Sequence, residues 1–133
     1  MKRFIVLLIA CFFVSIALAS TSFAGTKTLT FMWEQVISTD FAGWKLYGST
    51  SPNVQAIPGN LKATIPYSGT PSTTYTSAQP ITVPDNAETR MYFVLTAFDH
   101  SNQESGVSNE VNALLDFLAP AIPQKLNVTV QAP

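Results

Sequence analysis

The sequence predicts an all-β fold, with two antiparallel sheets packed face to face as a β-sandwich. Three observations carry this. Thr and Ser supply 23 of the 109 residues that follow Ala24, and all nine prolines lie there. Short alternating or β-branched runs are separated by clusters of Gly, Pro, Asn and Asp, the residues that punctuate strands with turns. No stretch holds a helical period through several turns. With strand following strand and no helix between them, neighbours are expected to pair antiparallel.

The strands are read in order from their period of two. Lys27 to Gln35 places Leu29, Phe31 and Trp33 on one face and Thr28, Thr30, Met32 and Glu34 on the other. Gly43 to Tyr47 sets Trp44 and Leu46 against Lys45 and Tyr47. Ser49 to Asn60, with Pro52 and Pro58-Gly59, is rich in turn residues. Lys62 to Tyr67 and Tyr75 to Val83 each carry a proline (Pro66, Pro80), which marks an edge or bent strand. Arg90 to Phe98 is the strongest strand, Met91, Phe93, Leu95 and Ala97 against Tyr92, Val94, Thr96 and Phe98. Asp99 to Gly106 reads as a polar hairpin loop, and Ser108 to Leu114 as the returning strand.

Composition divides the chain before this domain begins. Of the first 24 residues 18 are apolar, against 44 of the remaining 109. Lys2 and Arg3 precede a 16-residue run, Phe4 to Ala19, broken only by Ser15; Ser22 and Ala24 then supply small residues before Gly25. That layout predicts a secretory signal peptide, residues 1–24, cleaved after Ala24. An uncleaved anchor is the alternative, for which the run falls short of the roughly 20 residues that span a bilayer. Leu8-Ile9-Ala10-Cys11 is similar to a lipoprotein box, but the apolar run before Cys11 is short and continues past it. Cys11 is therefore read as one more residue of the apolar run. After cleavage no cysteine is left, so neither a disulfide nor a thiol nucleophile is available and the core alone must hold the domain. Five Lys/Arg against eight Asp/Glu then give a net charge of about −3 with no basic stripe, which argues against a nucleic-acid partner. Stable membrane insertion is not expected once the leader is removed.

Residues 25–118 are read as the domain, and roughly 27 to 114 of them resemble a family, closely at both ends and less in the middle. Leu29-Thr30-Phe31-Met32-Trp33 and Asp40-Phe41-Ala42-Gly43-Trp44-Lys45-Leu46-Tyr47 are similar to the B and C strands of a fibronectin type III domain, an immunoglobulin-like β-sandwich. Met91 to Val111 is similar to that family's F strand, FG hairpin and G strand, most specifically in Ala97-x-Asp99 followed by Glu104-Ser105 and Ser108-Asn109-Glu110-Val111. The resemblance implies an exported bacterial protein that binds other proteins or carbohydrates. Three departures stand out. Met91 occupies the usual place of the tyrosine-corner Tyr, so that hydrogen bond is expected to be lost unless Tyr92 takes a related part. The connection from Pro80 to Arg90 looks longer than the family's turn. The mature N-terminus enters almost directly into strand B, with no segment for strand A.

The tail, residues 119–133, bears on that last departure. Phe117 to Val128 resembles the linker and first strand that open a following repeat. One reading is a frayed remnant. The other is that Lys125 to Val130 folds back, or self-associates with a neighbouring chain, and fills the missing place beside strand B, as an edge with unpaired N–H and C=O groups favours.

Chemistry-bearing residues are few. The one histidine, His100, has neither a cysteine nor a second histidine to build a zinc site or a triad, and is read as a solvated loop residue. Asp99, Asn102 and Glu104 lack an EF-hand's spacing and are assigned to turn geometry. Asp40, Asp85 and Glu88 fall on separate expected turns, without support for a glycosidase carboxylate pair. No phosphate loop or nucleophile elbow is present. The chain is thus read as a non-enzymatic binding module, without catalytic residues, metal or cofactor, acting in adhesion or surface assembly outside the cytoplasm. Its partner is a protein or a polysaccharide. Trp33, Trp44, Phe31 and Phe93 are assigned to the core. Tyr47, Tyr92 and Phe98, on the opposite face of their strands, are the candidate binding surface. They serve either as a platform for sugar rings, making the chain a carbohydrate-binding accessory protein, or as cross-strand pairs that stabilise a sheet.

Overall fold

A computed structural model describes residues 24–129, so the expected leader lies outside the described residues except for Ala24. Six strands form: β1 (Ala24–Glu34), β2 (Phe41–Ser49), β3 (Leu61–Pro66), β4 (Thr74–Pro84), β5 (Glu88–Asp99) and β6 (Val111–Asp116). Strands β1 and β4 make a two-stranded sheet, and β3-β2-β5-β6 a four-stranded one. Every pairing is antiparallel. The fold is all-β, two antiparallel sheets whose apolar faces meet in a sandwich. Among the described residues no helix is long and apolar enough to cross a membrane.

Alternation explains which faces meet. In β1, Leu29, Phe31 and Trp33 are half-buried while Thr28, Thr30, Met32 and Glu34 are exposed. They face a core of Leu46, Ile81, Val83, Met91, Phe93 and Leu115. Phe31 meets the edge of Phe93, ring centroids 5.1 Å apart. Met91, in the place of the expected tyrosine corner, is a buried core residue. At one end of the sandwich the rings of Trp33, Trp44 and Tyr75 pack together with centroids 4.7–6.4 Å apart, and Phe41 and Tyr67 close the cluster. Both indole Nε1 groups there are buried without a hydrogen-bond partner. Each costs about 1–3 kcal/mol, which the apolar area buried by the five rings offsets.

Two connections differ from expectation. The stretch from Pro80 to Arg90 is mostly strand. Ile81 and Val83 are buried while Pro80, Thr82 and Pro84 face out, so alternation carries β4 to Pro84. Only Asp85–Ala87 turns the chain, with Asn86 at φ 56°, a conformation that Asn tolerates better than most residues. Pro80 is accommodated because, among the described residues, β4 has a strand on one side only. The hairpin after β5 is also tighter than Asp99 to Gly106. The Asp99 carboxylate accepts from the N–H groups of Ser101 and Gln103, both at 2.8 Å, and Asp99 N–H donates to the Gln103 carbonyl. From Glu104 the chain already runs beside β5. Ser105 and Ser108 N–H groups donate to the Ala97 and Leu95 carbonyls. In return the Ala97 and Leu95 N–H groups donate to the Ser105 and Ser108 hydroxyls, each at 2.9 Å. Two serine side chains thus stand in for ladder carbonyls before β6 begins at Val111.

Candidate functional site: the outer face and the open side

Tyr47 does lie on the face opposite Trp44 and Leu46, as the period of two requires, but it is not exposed. Its ring is 4% accessible, covered by Val54 and Val94. The turn-rich segment after β2 folds back across the sheet, and the Val54 N–H donates to a Glu110 carboxylate oxygen at 2.8 Å. Tyr92 is half-buried at the rim of this cluster. Phe98 lies at the other end of the sheet, opposite Gly43, with the Lys45 ammonium 5.4 Å from its ring centroid. The structure therefore brings Tyr47 and Tyr92 together and leaves Phe98 apart; the three do not make one exposed platform. The sequence signal of this cover was slight, a valine set among turn residues after β2.

The centre of that face is Glu104, which sequence reasoning assigned to a turn. It accepts from the Tyr47 hydroxyl (2.6 Å) and the Thr96 hydroxyl (2.6 Å) on one oxygen and from Lys45 (2.7 Å) on the other. Thr96 is 2% exposed. Burial alone would raise the Glu104 carboxyl, but the three donated hydrogen bonds and the Lys45 charge outweigh it and hold it below its ordinary value. Burial first, then the hydrogen bond to Glu104 and its negative charge, push the Tyr47 hydroxyl up to about 12. The network is a satisfied clamp joining β2, β5 and the segment before β6, and its charge is matched within it.

The other expected polar residues are dispersed. Asp40 accepts from the Ser38 hydroxyl at 3.0 Å just before β2, at the Asp99 end of β5. Glu88 opens β5 at the far end, in a strand rather than a turn, and Asp85 precedes it. His100 is exposed, its N–H donating to the Asp40 carbonyl. Among the described residues no three His, Cys, Asp or Glu side chains gather as metal ligands would.

What the structure leaves open is one side of the sandwich. Strand β1 pairs only with β4 among the described residues, and β6 is the edge of the other sheet on the same side. Between them lies a cleft of about 390 Å³ lined by Phe31, Trp33, Leu46, Phe93, Leu95 and Val111. Leu46 and Phe93 are each 1% exposed, so the floor of the cleft is the core itself. On its rims Met32 and Val111 are 71% and 47% exposed. Glu34 stands at the end of β1 and also lines the cleft.

The tail does not fill this place in its own chain. Phe117 is the last residue that packs, its ring against Gly25, with the Lys27 ammonium donating to the Asp116 carbonyl at 2.6 Å and lying 4.9 Å from the Phe117 centroid. Beyond it, residues 119–129 form no strand and are exposed, Leu126 at 96% and Val128 at 88%. The intrachain fold-back is thus not found among the described residues. In comparisons with known proteins no family model, no curated protein and no solved structure matches the chain.

Proposed function

We propose that this chain is an exported, non-catalytic interaction module, a fibronectin type III-like domain that engages a protein partner through the open side of its sandwich. The observation that carries this reading is the cleft between β1 and β6, floored by core residues and bordered by an edge of β1 that is unpaired among the described residues. An edge of this kind favours an added strand, with main-chain hydrogen bonds for affinity and side-chain pockets for specificity. The arrangement of β1 with β4, and of β2, β5 and β6 together, supports the immunoglobulin-like reading. The layout of residues 1–24 supports export. A sugar platform on Tyr47, Tyr92 and Phe98 has less support, because Tyr47 offers no free ring face and Lys45 lies over Phe98.

The test is made on chain expressed with its own leader in a bacterial host. Mass spectrometry of the exported protein is expected to find Gly25 as the first residue. A photo-crosslinking amino acid replacing Met32, on the exposed rim, is expected to form a discrete protein adduct, whereas one replacing Thr82 on β4 is not. An exported, folded protein that forms no adduct from position 32 would overturn the reading. Retention on a polysaccharide column that is lost with Tyr92→Ala would replace it by the sugar-binding one.

A further inference from the structure

We infer that the occupant of the open cleft is the tail of a second copy of this chain, with Lys125 to Val130 added antiparallel to β1 so that Lys125 meets Glu34. This deepens the reading above and rests on it. Three features of the molecule converge on that occupant. The first is pattern. Leu126, Val128 and Val130 alternate with Asn127 and Thr129, the period of a strand with one apolar face. Leu126 and Val128 are almost fully exposed in their own chain, while the cleft exposes apolar core on its floor. Each surface lacks what the other offers.

The second is charge and direction. A strand laid antiparallel on β1 begins where β1 ends. Its first residue, Lys125, then lies beside Glu34, and its apolar residues follow along the cleft past Trp33 and Phe31. A parallel strand would carry Lys125 to the opposite end, beside Lys27.

The third is reach. The tail leaves the domain where Phe117 packs on Gly25, the start of β1. From Gly25 to Glu34 the strand advances nine residues, about 30 Å. Lys125 follows Phe117 by eight residues, which span at most about 29 Å when fully extended. Nothing is left over for the reversal that an antiparallel strand requires at Glu34. The tail of a second copy, approaching from outside that end, meets no such limit. Because the donating patch and the accepting patch differ, the contact is heterologous, and it propagates copy to copy unless the geometry closes a ring.

The experiment uses the processed protein in size-exclusion chromatography with light scattering across a dilution series. The expected result is concentration-dependent association. Val128→Asp is expected to weaken it by about 100-fold, as burying a charge in place of a valine requires. Lys125→Glu and Glu34→Lys are each expected to weaken it by about 5-fold, and the double reversal to restore it. A synthetic peptide of residues 121–133 is expected to raise the melting temperature of a chain ending at Leu118, which keeps every strand among the described residues. A monomer at all concentrations overturns the inference, as does association unchanged by Val128→Asp or a double reversal no better than the single ones. A monomer destabilised by Val128→Asp also overturns it, by placing the tail in its own cleft. An adduct from position 32 only to another protein, or to residues before Gly25, overturns it too. The adduct to another protein alone leaves the interaction module standing.

Discussion

The Tyr47 hydroxyl donates to a Glu104 carboxylate oxygen at 2.6 Å, across 57 residues of chain. That single contact ties the second strand to the segment leading into the last, on the face where an exposed aromatic was expected. Glu104 also receives Lys45 and Thr96, so its charge is fully used. Removing the carboxylate leaves a nearly buried Thr96 hydroxyl and the Tyr47 hydroxyl without their acceptor. Glu104→Ala is expected to cost about 1–3 kcal/mol at neutral pH, measured by denaturant unfolding.

Acid should reproduce part of that loss. The folded carboxyl of Glu104 is held below 4.5, its ordinary value, so the folded state binds a proton less readily than the unfolded chain does. The stabilisation is present above pH 4.5 and is lost as pH falls through the lower, folded value. The stability difference between the native chain and Glu104→Gln is expected to shrink over that acid window. A difference that stays constant down to pH 2 would show that the charge on Glu104 contributes nothing.

At the alkaline end the same pair works with opposite sign. Tyr47 is pushed up to about 12 from 10.0, so the fold favours its protonated form. Its contribution is intact below pH 10 and is lost as pH rises through 12. Tyr47→Phe is expected to flatten the stability profile between those values. In ultraviolet titration of the native chain a tyrosine ionising at about pH 12 is expected, and that step is expected to be missing in the variant.

Val54 makes the outer face a second small core. Its side chain is 5% exposed, and its N–H is held by Glu110. Val54→Asp is expected to destabilise by about 2 kcal/mol or more, and to raise the accessibility of Tyr47 to iodination. Glu110→Ala should raise that accessibility with a smaller loss of stability, because the apolar contact persists.

Gly43 is required by close approach. A Cβ there would run into the Ile65 carbonyl oxygen and come within 3.1 Å of the Pro66 Cα, both backbone atoms of β3. Gly43→Ala is expected to cost about 1–3 kcal/mol. Gly59→Ala, where a Cβ meets nothing within 4 Å, should stay within about 0.5 kcal/mol.

Much of the fold was legible because a strand's two faces are a local property. Successive side chains point to opposite sides whatever the strand pairs with, so Leu29, Phe31 and Trp33, and Trp44 and Leu46, could be placed inward before any partner was known. The same rule put Tyr47, Tyr92 and Phe98 on the outer face of their sheet. It could not say whether that face was bare. Cover came from Val54, whose N–H is held by Glu110, 56 residues further on. The hairpin after β5 was misjudged for a similar reason. Ser105 read as a loop residue and Ser108 as the first residue of the returning strand, yet the hydroxyls of both complete a ladder that only β5 beside them reveals.

By itself the sequence determined the all-β class, the inward and outward residues of each strand, and the polar turns, all of which follow from sterics within a few residues. Tertiary structure alone decided that Glu104 is the hub of a clamp, that Tyr47 is buried, and that among the described residues one side of the sandwich stands open on core residues. These depend on contacts between segments dozens of residues apart, whose register and cover no local pattern encodes. The tail belongs to both accounts. Its alternation marks a strand in the sequence, yet among the described residues it pairs with nothing, and Leu126 and Val128 stand exposed.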